Sequence, residues 1–166
     1  MRKVILNSTP IISLAKLNLL PLLQKMYAQV TIPETVYEEV TRKNDIVKRR
    51  IDASPWIHIE TVHSRKNERM YRAKLHKGEV EVMILAQECE GEHLVVIDDD
   101  AARKTASFLG LTLTGTIGIL IKAKELGYIE AVMPMIALLQ ENGIYFSNHL
   151  IDRIKQLSQE EQNSKA

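Results

Sequence analysis

Asp98, Asp99 and Asp100 stand side by side directly after Leu94 to Ile97, a continuous apolar run of buried-strand type. Like charges this close raise one another's pKa unless something positive neutralises them, and a divalent cation is the usual remedy. Glu79 and Glu81 open a helical pattern upstream of that run, and Glu38 and Glu39 lie within an earlier one. Neighbouring acids on a helix point in different directions, so at most one of Glu38 and Glu39 can join a common site. Glu39, spaced from Val36 and Tyr37 and next to Val40, lies closer to the apolar face. Each of these acids also has an ordinary reading. One aspartate suffices to cap the helix that begins at Ala101, and Glu79 and Glu81 suit the positive end of a helix dipole. Ser8, Thr9 and Thr116 offer hydroxyls to a water or a phosphate, or serve as helix caps.

These groups need elements to position them. Val4 to Leu6 form a strand, and Ser8-Thr9-Pro10 starts a helix with a capping hydroxyl and a proline in its first turn. A second apolar segment covers Leu19 to Met26, Gln29 to Ile32 is a short strand, and Pro33 opens a helix through Val40. Arg42 to Lys77 is more polar, with an extended piece at Trp56 to Val62. Helices follow from Gly78 to near Gly91, from Ala101 to Leu109, from Thr116 to Leu126 and from Ile129 to Asn142. Leu111 to Leu113 is a short strand, and a capped helix spans Ser147 to Leu157. Strands alternating with helices imply an α/β fold with a mainly parallel central sheet, covered on both faces, whose sites lie at the carboxyl ends of its strands. That rule selects two positions, Asn7 to Thr9 and Asp98 to Asp100.

A chain of 166 residues is near the size of one domain, here expected over 1–157, with 158–166 as a polar tail that has nothing to bury and is disordered. Lysines and arginines number 22 against 21 aspartates and glutamates, so charge does not announce a nucleic-acid binder. The low net charge also reduces self-repulsion and favours self-association. Cys89 has no partner for an internal disulfide and is expected as a buried, inert thiol. The five histidines lack the paired spacing of a zinc site. No apolar run is long enough to span a bilayer, and the first is too short for a signal peptide, which points to the cytoplasm.

Several blocks, in order, carry a resemblance: Asn7-Ser8-Thr9-Pro10-Ile11-Ile12, Ile32-Pro33-Glu34-Thr35-Val36-Tyr37-Glu38-Glu39-Val40, Gly78-Glu79-Val80-Glu81-Val82, Ile97-Asp98-Asp99 with Ala102-Arg103, and Gly115-Thr116-Ile117-Gly118. From Val4 to about Leu157 the sequence resembles the PIN domain, in the group described as predicted nucleic acid-binding proteins. The resemblance implies a three-layer α/β/α fold and a metal-dependent ribonuclease, many of whose relatives are toxins of toxin–antitoxin pairs. By position it implies Glu39, Glu79, Asp98 and Asp99 as ligands of Mg²⁺ or Mn²⁺. Such hard ions prefer oxygen ligands and can activate water against a phosphodiester. Asn7 stands where typical PIN nucleases have their first acid; its amide offers a carbonyl oxygen but no negative charge. Ser8, Thr9, Arg103 and Thr116 are candidates for substrate contact, and the basic residues at 48–50, 65, 66 and 104 could neutralise phosphates. The implied partners are RNA, single-stranded, a small antitoxin protein and a second copy of the chain, with no membrane. Two other readings stand beside this one. Asn7 also suits a degenerate PIN domain that binds RNA or a protein without cutting. A receiver-type phosphorylation domain expects paired acids after the first strand, and Asn7-Ser8-Thr9 argues against it.

Overall fold

The computed structural model describes residues 2–66 and 68–161, the Met70 side chain excepted. In chain order its elements are β1 (Lys3–Leu6), α1 (Ser8–Lys16), α2 (Leu20–Tyr27), β2 (Val30–Pro33), α3 (Glu34–Thr41), α4 (Ile46–Asp52), β3 (Ile57–Glu60) and α5 (Glu68–Arg72). They continue with α6 (Lys77–Glu88), β4 (His93–Val96), α7 (Asp100–Phe108), β5 (Leu113–Thr114), α8 (Thr116–Glu125), α9 (Met133–Glu141) and α10 (Asn148–Ser158).

The strands form one sheet in the order β3-β2-β1-β4-β5, and every pairing is parallel. This is the three-layer α/β/α class that the alternation of strands and helices implied. After β1 the chain steps to β2 on one side and later to β4 on the other, so the order reverses at β1. The carboxyl ends of β1 and β4 therefore border the crevice where open parallel sheets place their sites. The core follows from the strands themselves: Val4, Ile5, Leu6, Val95, Val96 and Ile97 are all buried. Helix α6 is buried from Gly78 to Ala86, apolar on nearly every side as a helix inside a domain must be.

Two compact units divide the chain, Met1–Thr116 and Ile117–Ala166. The first holds the whole sheet. In the second, Lys124 Nζ donates to the carbonyl of Ser158 at 2.5 Å and to Glu160 Oε2 at 3.0 Å. The Glu160 carboxylate also accepts from the backbone N–H groups of Val132 at 2.8 Å and Met133 at 3.0 Å, which satisfies the free donors at the start of α9.

Three expectations change at this level. The polar stretch from Arg42 to Lys77 contains two short helices, α4 and α5, besides its strand, because Val47 and Ile51 bury one side of α4 while Asp45 caps it. Cys89 is half-buried at the end of α6, with its thiol near the carbonyls of Gly91 and Glu92. The expected tail begins within structure: Ser158 is buried and Glu160 is bonded as above, while 162–166 lie outside the described residues.

Candidate active site

The crevice at the carboxyl end of β1 begins with Asn7, a buried residue whose backbone N–H donates to the carbonyl of Val96 at 3.0 Å. That bond continues the β1–β4 ladder by one residue and fixes Asn7 beside the end of β4. Asn7 occupies the N-cap of α1, but its side chain caps nothing. Ser8 does not cap either: its hydroxyl donates to Glu39 Oε2 at 2.7 Å, bridging α1 to α3. Of its two sequence readings, the contact with the acid group is the one found, and the capping role is absent.

Helix α3 packs against α6, and Gly78 faces Val36 and Glu39 of α3. A Cβ there would sit 3.2 Å from Val36 Cγ2, 3.4 Å from Glu39 Oε2 and 3.8 Å from Asn7 Oδ1. The missing side chain leaves room for Val36, Glu39 and Asn7 beside the start of α6, and Glu79 follows Gly78 within electrostatic reach of Glu39. Glu79 keeps only 8% of its surface exposed. Burial raises its pKa above the ordinary glutamate value, and the negative charges of Asp99 and then Glu39 raise it further against a lowering by His76.

The three aspartates after β4 separate into different tasks. Asp99 is the N-cap of α7, with Oδ2 accepting from the N–H of Ala102 at 2.9 Å, and it remains exposed near Glu79. Asp98 has both oxygens engaged, Oδ1 with the N–H of Thr116 at 2.8 Å and Oδ2 with its hydroxyl at 2.6 Å. Asp100 is exposed in the first turn of α7. Arg103 is likewise spent internally, its Nη1 donating to the carbonyl of Ile97 at 2.8 Å, next to Asp98. Thr9 is exposed. Of the basic run on α4, Arg50 donates to the carbonyls of Ala15 and Lys16 at the end of α1, and Lys48 pairs with Asp52.

Asn7, Ser8, Glu39, Glu79 and Asp99 are thus drawn from four separate stretches of chain to one end of the sheet. A family model described as a PIN domain matches residues 3–160. The chain belongs to the PIN-domain family. No curated protein matches it. PIN domains form a nuclease-type superfamily and are generally dependent on divalent metal. The donor set of this PIN domain fits such an ion in kind: three carboxylates and an amide carbonyl are hard oxygen ligands, and the mutual repulsion felt at Glu79 is what a cation would relieve. As they stand, no three acids, histidines or cysteines among the described residues are gathered closely enough to hold one ion. Asp98 is committed to Thr116 and fits the set least.

One acid that the sequence offers as an ordinary first-turn residue is instead deeply buried. Glu81 is 2% exposed and takes a bond from Arg65 Nη2 at 2.9 Å on Oε1, and Oε2 has no partner among the described residues. Only its place next to the apolar run Val80, Val82, Met83, Ile84 and Leu85 of α6 could have signalled this, since a charged residue there needs a counter-ion.

Proposed function

We propose that this PIN domain is a metal-dependent endoribonuclease that hydrolyses single-stranded RNA in the cytoplasm, working as a homodimer whose activity a small antitoxin protein restrains. What supports the reading is that Asp99 and Glu39 act electrostatically on the buried Glu79, and that Glu39 and Asn7 both face Gly78, in a chain of a nuclease-type superfamily. Glu39, Glu79 and Asp99 would hold Mg²⁺ or Mn²⁺, with the Asn7 carbonyl as a neutral fourth donor. When bound, such an ion neutralises phosphate oxygens and lowers the pKa of water. Ser8 holds Glu39 in place through its hydroxyl. Asp98 acts as a positioning residue, since its bonds tie Thr116 to the end of β4. Thr9, exposed beside Ser8, offers a hydroxyl to a substrate phosphate.

Asn7 favours the second reading, a domain that binds RNA or a protein without cutting it. It removes one negative charge from the ligand set, and disturbances even beyond the direct ligands of a metal cost about 10–100-fold in affinity or activity. Cleavage of labelled single-stranded RNA with Mn²⁺, Mg²⁺ or EDTA separates the two. Cutting by the unaltered chain that EDTA and Glu79→Gln both abolish supports the nuclease. Cutting only after Asn7→Asp identifies a site disabled at its first ligand, and no cutting by either leaves binding as the function.

A further inference from the structure

Strands buried on both faces of a parallel sheet read as apolar runs, and β2 and β3 break this rule. Thr31 is in register with Ile5 on one side and with His58 on the other, and Pro33 with Glu60. Residues in register, and residues two apart on a strand, share a face. Lys3, Gln29, Thr31, His58 and Glu60 therefore project from one face of the sheet. Ile5 and Pro33 share that face, while the opposite one carries Val4, Val30, Ile32 and Ile57, which are buried, and Ile59, which is exposed.

A cleft of about 350 Å³ opens over the polar face, lined by these five residues and Arg2 among others. Thr31 lies within it only 6% exposed, and among the described residues its hydroxyl has no hydrogen-bond partner. The hydroxyl oxygen itself is not among the buried oxygens left without a partner, so it is open to the cleft and available to a ligand there. The rim is cationic. Arg2 lies over the Tyr27 ring, 6.0 Å from its centroid, and Lys3 pairs with Glu60 at 2.6 Å. Arg2 and Lys3 outnumber that single acid, and His58, bonded to Gln29 at 3.0 Å, adds a ring nitrogen.

We propose that this cleft binds a phosphoryl group, carried by inorganic phosphate or by a small phosphomonoester. Arg2 and Lys3 supply charge-assisted donors, and the Thr31 hydroxyl donates from within. The site stands apart from the carboxylates: Lys3 begins β1, whereas Asn7 follows its other end, roughly 13 Å along the strand at about 3.3 Å per residue. It does not rest on the nuclease reading.

The test is thermal unfolding and equilibrium dialysis of the full chain with inorganic phosphate or adenosine 5′-monophosphate, at constant ionic strength against chloride. The unaltered chain is expected to bind and to melt at a temperature that rises with ligand concentration. Thr31→Val, which keeps shape and strand propensity, and Arg2→Gln should each weaken binding about tenfold or more, and Lys122→Gln on α8 should not. Equal affinity for both ligands identifies free phosphate as sufficient, and tighter binding of the nucleotide identifies a phosphomonoester. Absence of binding at about 10 mM ligand overturns the proposal. So does affinity unchanged in both Thr31→Val and Arg2→Gln.

Discussion

A glutamate buried beside two other carboxylates holds its proton to higher pH than it would in the unfolded chain, and Glu79 is in that position. The sign of its effect on stability follows directly. Between the ordinary value of 4.5 and the raised folded value, the native state binds the extra proton, so stability falls as pH rises through that window and stays lower above it. Glu79→Gln removes the charge and should raise the melting temperature at pH 7 to 8 while changing little at pH 4. Melting curves of the two proteins across pH check this, and a parallel loss of stability at every pH would refute the assignment of Glu79 as a destabilising, function-bearing acid. Asp98 should behave in the opposite manner. Asp98→Asn replaces a carboxylate that accepts from both the N–H and the hydroxyl of Thr116, and it should cost about 1–3 kcal/mol in denaturant unfolding. A stability gain in Asp98→Asn would instead place Asp98 among the ligands.

Two glycines let the elements approach closely enough to form the site, and they should answer differently to alanine. At Gly115 a Cβ would lie 2.7 Å from Asp98 Oδ1 and 3.2 Å from the Ile97 carbonyl, both held by their own bonds. Gly115→Ala should therefore cost about 1–3 kcal/mol, the usual range for overpacking. Gly78 meets Val36 and Glu39 at 3.2 and 3.4 Å, and it lies inside a helix where alanine regains roughly 0.5–1 kcal/mol. Gly78→Ala should leave stability nearly unchanged yet displace Glu39, so RNA cleavage should fall while the unfolding midpoint holds. Measured together, midpoints and cleavage rates distinguish the two positions. The same elements show what the sequence could reveal. β1 and β4 are legible because buried parallel strands are short apolar runs, and their ends mark the crevice without any coordinates. Helices α4 and α5 are not legible, since α4 shows only Val47 and Ile51 as a buried side and lies among charges. The division of labour among Asp98, Asp99 and Asp100 is also hidden. It depends on Thr116, 18 residues away from Asp98, and no local pattern records that bond.

At the scale of the whole chain, the question is where the folded protein ends. Apolar periodicity fades after Leu157, and a polar segment beyond it has no face to bury. Glu160 shows why that criterion stops too early: a chain end can be held by charge instead of apolar area. Burial on its own would raise the pKa of Glu160, but the N–H groups of Met133 and Val132 and the ammonium of Lys124 outweigh it and bring the value below the ordinary 4.5. For a depressed carboxylate the stabilisation is complete above the ordinary pKa and disappears as pH falls through the folded value. A chain ending after Leu157 should consequently lose about 2–4 kcal/mol at neutral pH relative to one ending after Glu161, the worth of one or two charge-assisted hydrogen bonds. Glu160→Gln in the full chain should reproduce part of that loss, because an amide oxygen still accepts from α9 but cannot pair with Lys124. Below the folded pKa the difference between the unaltered chain and Glu160→Gln should shrink toward zero, as the protonated acid becomes equally neutral. Calorimetric melting of these chains at pH 7 and at stepwise lower pH checks both statements, and equal stability of the two truncated chains at pH 7 would show that the second unit is held by its apolar contacts alone.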